Sequence, residues 1–124
     1  MKYGEKEIEE FTIDLEEHYW DNIHSKNYTI DIELPEFTCR CPRSGYPDFA
    51  NIKLSYSPDK KVIELKALKL YINSFMDRYI SHENSANEIF DTLKRNLEPK
   101  WIRVVADFNP RGNVHTIITI DSRD

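Results

Sequence analysis

The feature that most constrains this chain is a change of hydrophobic period along it. Tyr28, Ile30, Ile32 and Leu34 alternate with Thr29, Asp31 and Glu33. Apolar residues at every second position line one side of a pleated strand, so the segment reads as a half-buried strand. Pro35 ends it, and the next stretch, 36–49, holds two prolines and a glycine that break regular structure. Alternation returns with Ala50, Ile52, Leu54 and Tyr56. Ser57-Pro58-Asp59 is turn chemistry, and Val62-Ile63 is a short extended piece. Then the spacing lengthens. Leu65, Leu68, Ile72, Phe75, Met76 and Tyr79 recur at three and four, which predicts a helix over 65–79 with one apolar face. After a linker at 80–83, Ile89, Phe90, Leu93 and Leu97 mark a second helix over 84–97. Asn84 or Ser85 is its expected cap, Glu88 an early acid, and Pro99 its stop. Trp101–Phe108 and Asn113–Asp121 read as strands again. Between them Asn109, Pro110 and Gly112 suit positions i, i+1 and i+3 of a type I turn.

The order is therefore ββααββ. Short connections favour hairpins, so the expected fold is α+β: an antiparallel sheet with both helices on one face. At 124 residues the chain is one domain. Residues 28–124 form it, and the polar, acidic segment 1–27 reads as an arm along its surface.

Charge and cysteine content narrow the function. A net charge of −5 and a pI near 5.4 argue against a binder of phosphate backbones. No apolar run approaches the ~20 residues of a membrane span, and the N-terminal stretch has no apolar segment of a signal peptide. A cytoplasmic location is expected, where cysteines are more often reactive or metal-bound than bridged. There are two, Cys39 and Cys41. The four histidines form no HxxxH pair and meet no CxxC, so no metal site is expected.

Cys41 lies in the broken stretch between two strands, where functional residues concentrate. Cysteine is the most nucleophilic side chain at neutral pH. Asp48 follows seven residues later, past Gly45 and Pro47, close enough for the loop to fold it back. A carboxylate is a poor neighbour for a thiolate, but a protonated carboxylic acid is not. Such a pair suits addition of sulfur to an electrophile that must itself gain a proton. His82-Glu83 sits between the helices, and a buried Glu there could accept two N–H donors from a flat heterocycle. Lys66 and Lys69, three apart near a helix start, could hold phosphates. Each feature alone also fits a plain role: an idle thiol, a turn aspartate, an interhelix cap, a solvated lysine face.

Together the motifs resemble one family. The string Glu64-Leu-Lys-Ala-Leu-Lys-Leu-Tyr71 is similar to the signature of the NADPH-dependent 7-cyano-7-deazaguanine reductases of queuosine biosynthesis. The stretch 37–49 resembles their nucleophile loop, with Cys before Pro and Asp seven residues on. His82-Glu83 resembles their substrate pair, and Asn109–Gly112 their closing turn. The resemblance implies the tunnelling fold, whose ββααββ subunits close a shared β-barrel in homo-oligomers, typically paired pentamers, with active sites at subunit interfaces. It implies that Cys41 attacks a nitrile to form a thioimide and that Asp48 protonates the nitrogen. Glu83 and His82 would hold the deazapurine, with Ile63, Glu64 and Leu65 along its other edge. Lys66, Lys69 and Arg111 would meet the phosphates of NADPH. No metal and no direct nucleic-acid partner are implied. Cys39 departs from the family pattern and could pair with Cys41 on oxidation. Three rivals remain open: the amidinotransferase branch acting on nitrile-modified transfer RNA, a zinc-dependent pterin enzyme, and a non-catalytic purine-binding module.

Overall fold

In a computed structural model the chain is described over residues 18–123. The strands are β1 (Tyr19–Asp21), β2 (Ile30–Arg40), β3 (Pro47–Ser57), β4 (Lys61–Ile63), β5 (Trp101–Phe108) and β6 (Ile117–Asp121). The helices are α1 (Leu65–Asn73) and α2 (His82–Leu97). The main sheet is antiparallel, in the order β2-β3-β5-β6. Alternation sets its two faces. Ile52, Leu54 and Tyr56 of β3 lie opposite Ala106, Val104 and Ile102 of β5, and all six are buried. The helices supply the other half of the core through Leu68, Ile72, Ile89 and Leu93. This is the expected α+β arrangement.

A second, two-stranded sheet joins β1 to β4, with Tyr19 opposite Ile63. Thus the last part of the segment read as an arm is paired, while residues 1–17 lie outside the described ones.

Several boundaries differ from the sequence reading. β2 does not stop at Pro35 but continues to Arg40 through a register shift between Leu34 and Phe37. A bulge on an edge strand tolerates a residue with no amide hydrogen. The bulge also moves the buried positions from even to odd numbers, so Phe37 and Cys39 face the core. With β3 starting at Pro47, the irregular connection shrinks to 41–46.

α1 ends at Asn73 rather than Tyr79. Beyond it the amides of Phe75, Met76 and Arg78 donate three residues back, which tightens the chain. Phe75 stays buried, but Met76 and Tyr79 turn outward, as does Leu65 at the other end. α2 starts two residues earlier than expected, because Ser81 is its cap and accepts from the Asn84 amide at 3.1 Å. Ser85 is buried, and Glu88 pairs with Arg78 instead of serving the helix start. The β5–β6 reversal lies at 111–114, where Gly112 and Asn113 have φ of 56° and 70°. Two left-handed central residues are the mark of a primed hairpin turn, which follows the twist of its strands.

One junction positions the site. The Arg40 amide donates to Arg78 O and the Ile80 amide to Arg40 O, at 2.8 and 3.0 Å. The end of β2 is thereby clamped to the start of α2, which brings Cys41 and His82 to the same end of the sheet.

Candidate active site

Cys41 opens a tight turn. Its amide donates to Tyr46 O, and the Gly45 amide donates back to Cys41 O, both at 2.9 Å. Gly45 has a φ of +75°, a conformation that L side chains resist. Cys41 is half-buried, and its thiol is held below its usual pKa. Hydrogen bonding by the Ser44 side chain is the main cause, followed by the amides of Ser44 and Arg43; burial and then Asp48 push weakly the other way.

Asp48 comes from β3, directly opposite Cys39 in the ladder, and is only 5% exposed. Its Oδ1 accepts from Arg111 Nη1 at 2.8 Å, and its Oδ2 lies 3.2 Å from His82 Nε2. The His82 ring stacks on Phe108, with centroids 3.7 Å apart and planes 6° from parallel. Phe108 is buried, so this stacking fixes the imidazole against a rigid floor. Cys41, Asp48, His82 and Arg111, with Asn109 and Thr116, line one cleft of about 390 Å³. A nucleophile, a carboxyl group and an imidazole therefore converge from three separate elements. That set can add sulfur to an electrophilic carbon and deliver a proton to its neighbour.

The other predicted residues do not line this cleft. Ile63 is buried and its amide donates to the Tyr56 hydroxyl at 3.1 Å. Glu64 caps α1 by accepting from the Lys66 amide at 2.9 Å, and Leu65 is exposed. Glu83, expected buried, is exposed on the first turn of α2 beside His82. Lys66 is exposed, and Lys69 borders a second groove of about 710 Å³ with Phe49, Ile72 and Met76. Asn109 borders both the groove and the cleft. Arg111, expected to face cofactor phosphates, is here bound to Asp48 and lies over the Tyr46 ring at 5.4 Å.

Cys39 is fully buried, its thiol near Ile80 O at 3.8 Å and pushed up to about 11 by burial and then by Asp48. Ser44 and Phe108 were not picked out by the sequence. Phe108 was visible only as the last apolar position of a strand, and nothing in the pattern marked Ser44.

A family model described as QueF-like protein matches residues 47–124. The chain belongs to the QueF-like family. A Sulfurovum relative named NADPH-dependent 7-cyano-7-deazaguanine reductase is 77% identical over 122 residues, 98% of each chain. Relatives of the same name from Nitratiruptor and Campylobacter jejuni serotype O:2 are each 65% identical. They cover 100% and 95% of this chain, and 95% and 92% of their own. Among solved structures, the archaeosine synthase QueF-like in its apo form superposes with a TM-score of 0.71. That match covers 76% of this QueF-like chain and 92% of the other at 20% identity, so it shows the shared tunnelling fold alone. Among the described residues no helix is long and apolar enough to cross a membrane, and no group of three His, Cys, Asp or Glu could hold a metal ion.

Proposed function

We propose that this QueF-like chain is an NADPH-dependent 7-cyano-7-deazaguanine reductase, turning the nitrile into an aminomethyl group for queuosine biosynthesis. The names of its relatives support the activity. The observation that carries the mechanism is the meeting of Cys41 with the Asp48–His82 pair in one cleft.

Cys41 Sγ adds to the nitrile carbon while Asp48 gives a proton to the nitrogen. One carbon–nitrogen π bond is replaced by a carbon–sulfur and a nitrogen–hydrogen bond, giving a covalent thioimide. His82, 3.2 Å from Asp48, returns a proton to the carboxyl group. NADPH supplies the hydride when bound. After the first reduction the carbon–sulfur bond breaks, Cys41 leaves as a thiolate, and an imine remains to be reduced. Nitrile, two NADPH and two protons become amine and two NADP⁺.

Lys66 and Lys69 would hold the cofactor. The groove beside Lys69 fits a dinucleotide in kind, with a cation for phosphate, apolar walls from Phe49 and Met76, and continuity with the cleft through Asn109. Glu83 with His82 would hold the deazapurine. Ile63, Glu64 and Leu65 would line its other edge from a neighbouring copy, since in their own chain they lie outside the cleft. The working enzyme is thus a homo-oligomer, on the resemblance a pair of pentamers.

The test is NADPH absorbance on adding 7-cyano-7-deazaguanine to reduced protein. Decay of about two NADPH per nitrile is expected, with none for Cys41→Ala. No decay with folded wild type overturns the reading.

A further inference from the structure

The groove beside Lys69 and the cleft around Cys41 meet at one side chain. Of the residues that line the two cavities, Asn109 alone borders both. Its backbone is held in place. The Phe108 amide donates to Thr116 O at 3.0 Å, and the Asn109 amide to Phe49 O at 2.8 Å. Pro110 follows and biases the backbone of Asn109 toward the extended region. Phe108, before it, is buried against the His82 ring. The Asn109 side chain is the opposite case: exposed, and among the described residues without a hydrogen-bond partner. A fixed backbone thus presents an unpaired amide where the two cavities join.

We infer that Asn109 is a positioning residue for the hydride donor: its side-chain amide pairs with the carboxamide of the nicotinamide ring and holds that ring against the carbon bound to Cys41. The inference rests on the reductase reading and extends it to a residue with no role in it so far. The chemistry calls for a group at this place. In each reduction the C4–H bond of the dihydronicotinamide breaks with its electron pair, and a C–H bond forms at the former nitrile carbon. NADPH is oxidised to NADP⁺, and the substrate nitrogen takes up one proton. The ring must therefore reach out of the groove into the cleft, past Asn109. A carboxamide and an Asn side chain each offer N–H donors and a C=O acceptor in one plane, so they pair by reciprocal hydrogen bonds. Those bonds stop the ring from turning and fix the face it presents. A reacting pair misplaced by about 1 Å loses about a hundredfold in rate. Asn73, the other side-chain amide of the groove, does not border the cleft.

The experiment compares NADPH with its reduced 3-acetylpyridine analogue, in which a methyl group replaces the carboxamide nitrogen. The analogue is also a different hydride donor in itself, but that difference is common to every variant. The preference of the wild type for NADPH is expected to fall about tenfold in Asn109→Ala, where the nitrogen has lost its acceptor. Oxidation of NADPH itself is expected to slow about ten- to a hundredfold in that variant. The covalent adduct on Cys41, read by intact mass with 7-cyano-7-deazaguanine alone, forms at the wild-type rate. Asn109→Asp keeps an acceptor and retains the preference while losing rate. Asn109→Ser, a turn-forming residue too short to reach the ring, repeats the Ala result and guards against a loosened turn. An unchanged preference in Asn109→Ala and Asn109→Ser overturns the inference. So does loss of the adduct in both, which would assign Asn109 to the nitrile substrate. In either case a wild type that consumes NADPH keeps the reductase reading. A folded wild type that forms no adduct and consumes no NADPH loses that reading, and the role of Asn109 with it.

Discussion

Cys39 and Cys41 are two residues apart, yet they meet opposite environments. Cys39 sits under the sheet with its thiol pushed up to about 11, while Cys41 stands at a turn where hydrogen-bond donors hold its thiol low. The difference bears on stability. Unfolded, Cys39 ionises near its ordinary 9.0; folded, it keeps its proton to about 11. The folded state therefore binds the extra proton between these values. Its contribution is fully present below pH 9.0 and is lost as pH rises toward 11. We expect the urea midpoint of the wild type to fall over that range, and the Cys39→Ala curve to fall less steeply. Equal slopes would mean that Cys39 takes no part. Burial also means that the sulfur cannot reach Cys41 without leaving the core, which weakens the disulfide suggested by their closeness in sequence. That environment was not legible in advance. Cys41 and Asp48 announced themselves by residue type and spacing. Cys39 did not, because the bulge at Leu34–Phe37 reverses the phase of the alternation, and a reader following period two sees a loop there.

At the scale of elements, strands and helices were legible wherever burial repeats with one period. β3, β5 and α2 match the apolar pattern closely. The ends were less so, because they are set by local hydrogen bonds that leave little trace in hydrophobicity. Ser81 rather than Asn84 caps α2, and Gly112-Asn113 rather than Pro110 forms the reversal. This reversal carries Arg111 to Asp48, so its geometry matters to the site. A Cβ at Gly112 would meet nothing within 4 Å. The cost of Gly112→Ala is then purely that of a left-handed backbone, about 1 kcal/mol. Gly112→Asn should cost less, since Asn adopts this conformation readily. Chemical denaturation of the two variants checks the order. An Asn variant less stable than the Ala variant would show that something other than φ governs the turn.

At the scale of the whole molecule, one chain is an incomplete account of the proposed site. Glu64 follows β4, which belongs to the small sheet with β1 and not to the sheet that carries Cys41. The outward Leu65, Met76 and Tyr79 and the helix-free face of the main sheet leave ample surface for another copy. On the proposed composite site, motifs are easier to recognise than to assemble. Sequence spacing tells which residues share a loop or a helix, but not which chain brings them to a substrate. The distinction can be measured by complementation. Cys41→Ala removes the nucleophile, and Glu64→Gln removes a charge while keeping an oxygen that can cap α1. Each alone should lose most activity, by more than about tenfold for Glu64→Gln, where a hydrogen bond to a charged group is lost. Refolded together in equal amounts, they generate sites whose two halves come from different chains. Half of the nucleophile-bearing positions are intact, and half of their neighbours are, so about a quarter of the sites are whole. Recovery of about a quarter of wild-type activity is therefore expected. A mixture as inactive as its components would place Glu64 and Cys41 in the same site of one chain, and the composite arrangement would have to be abandoned.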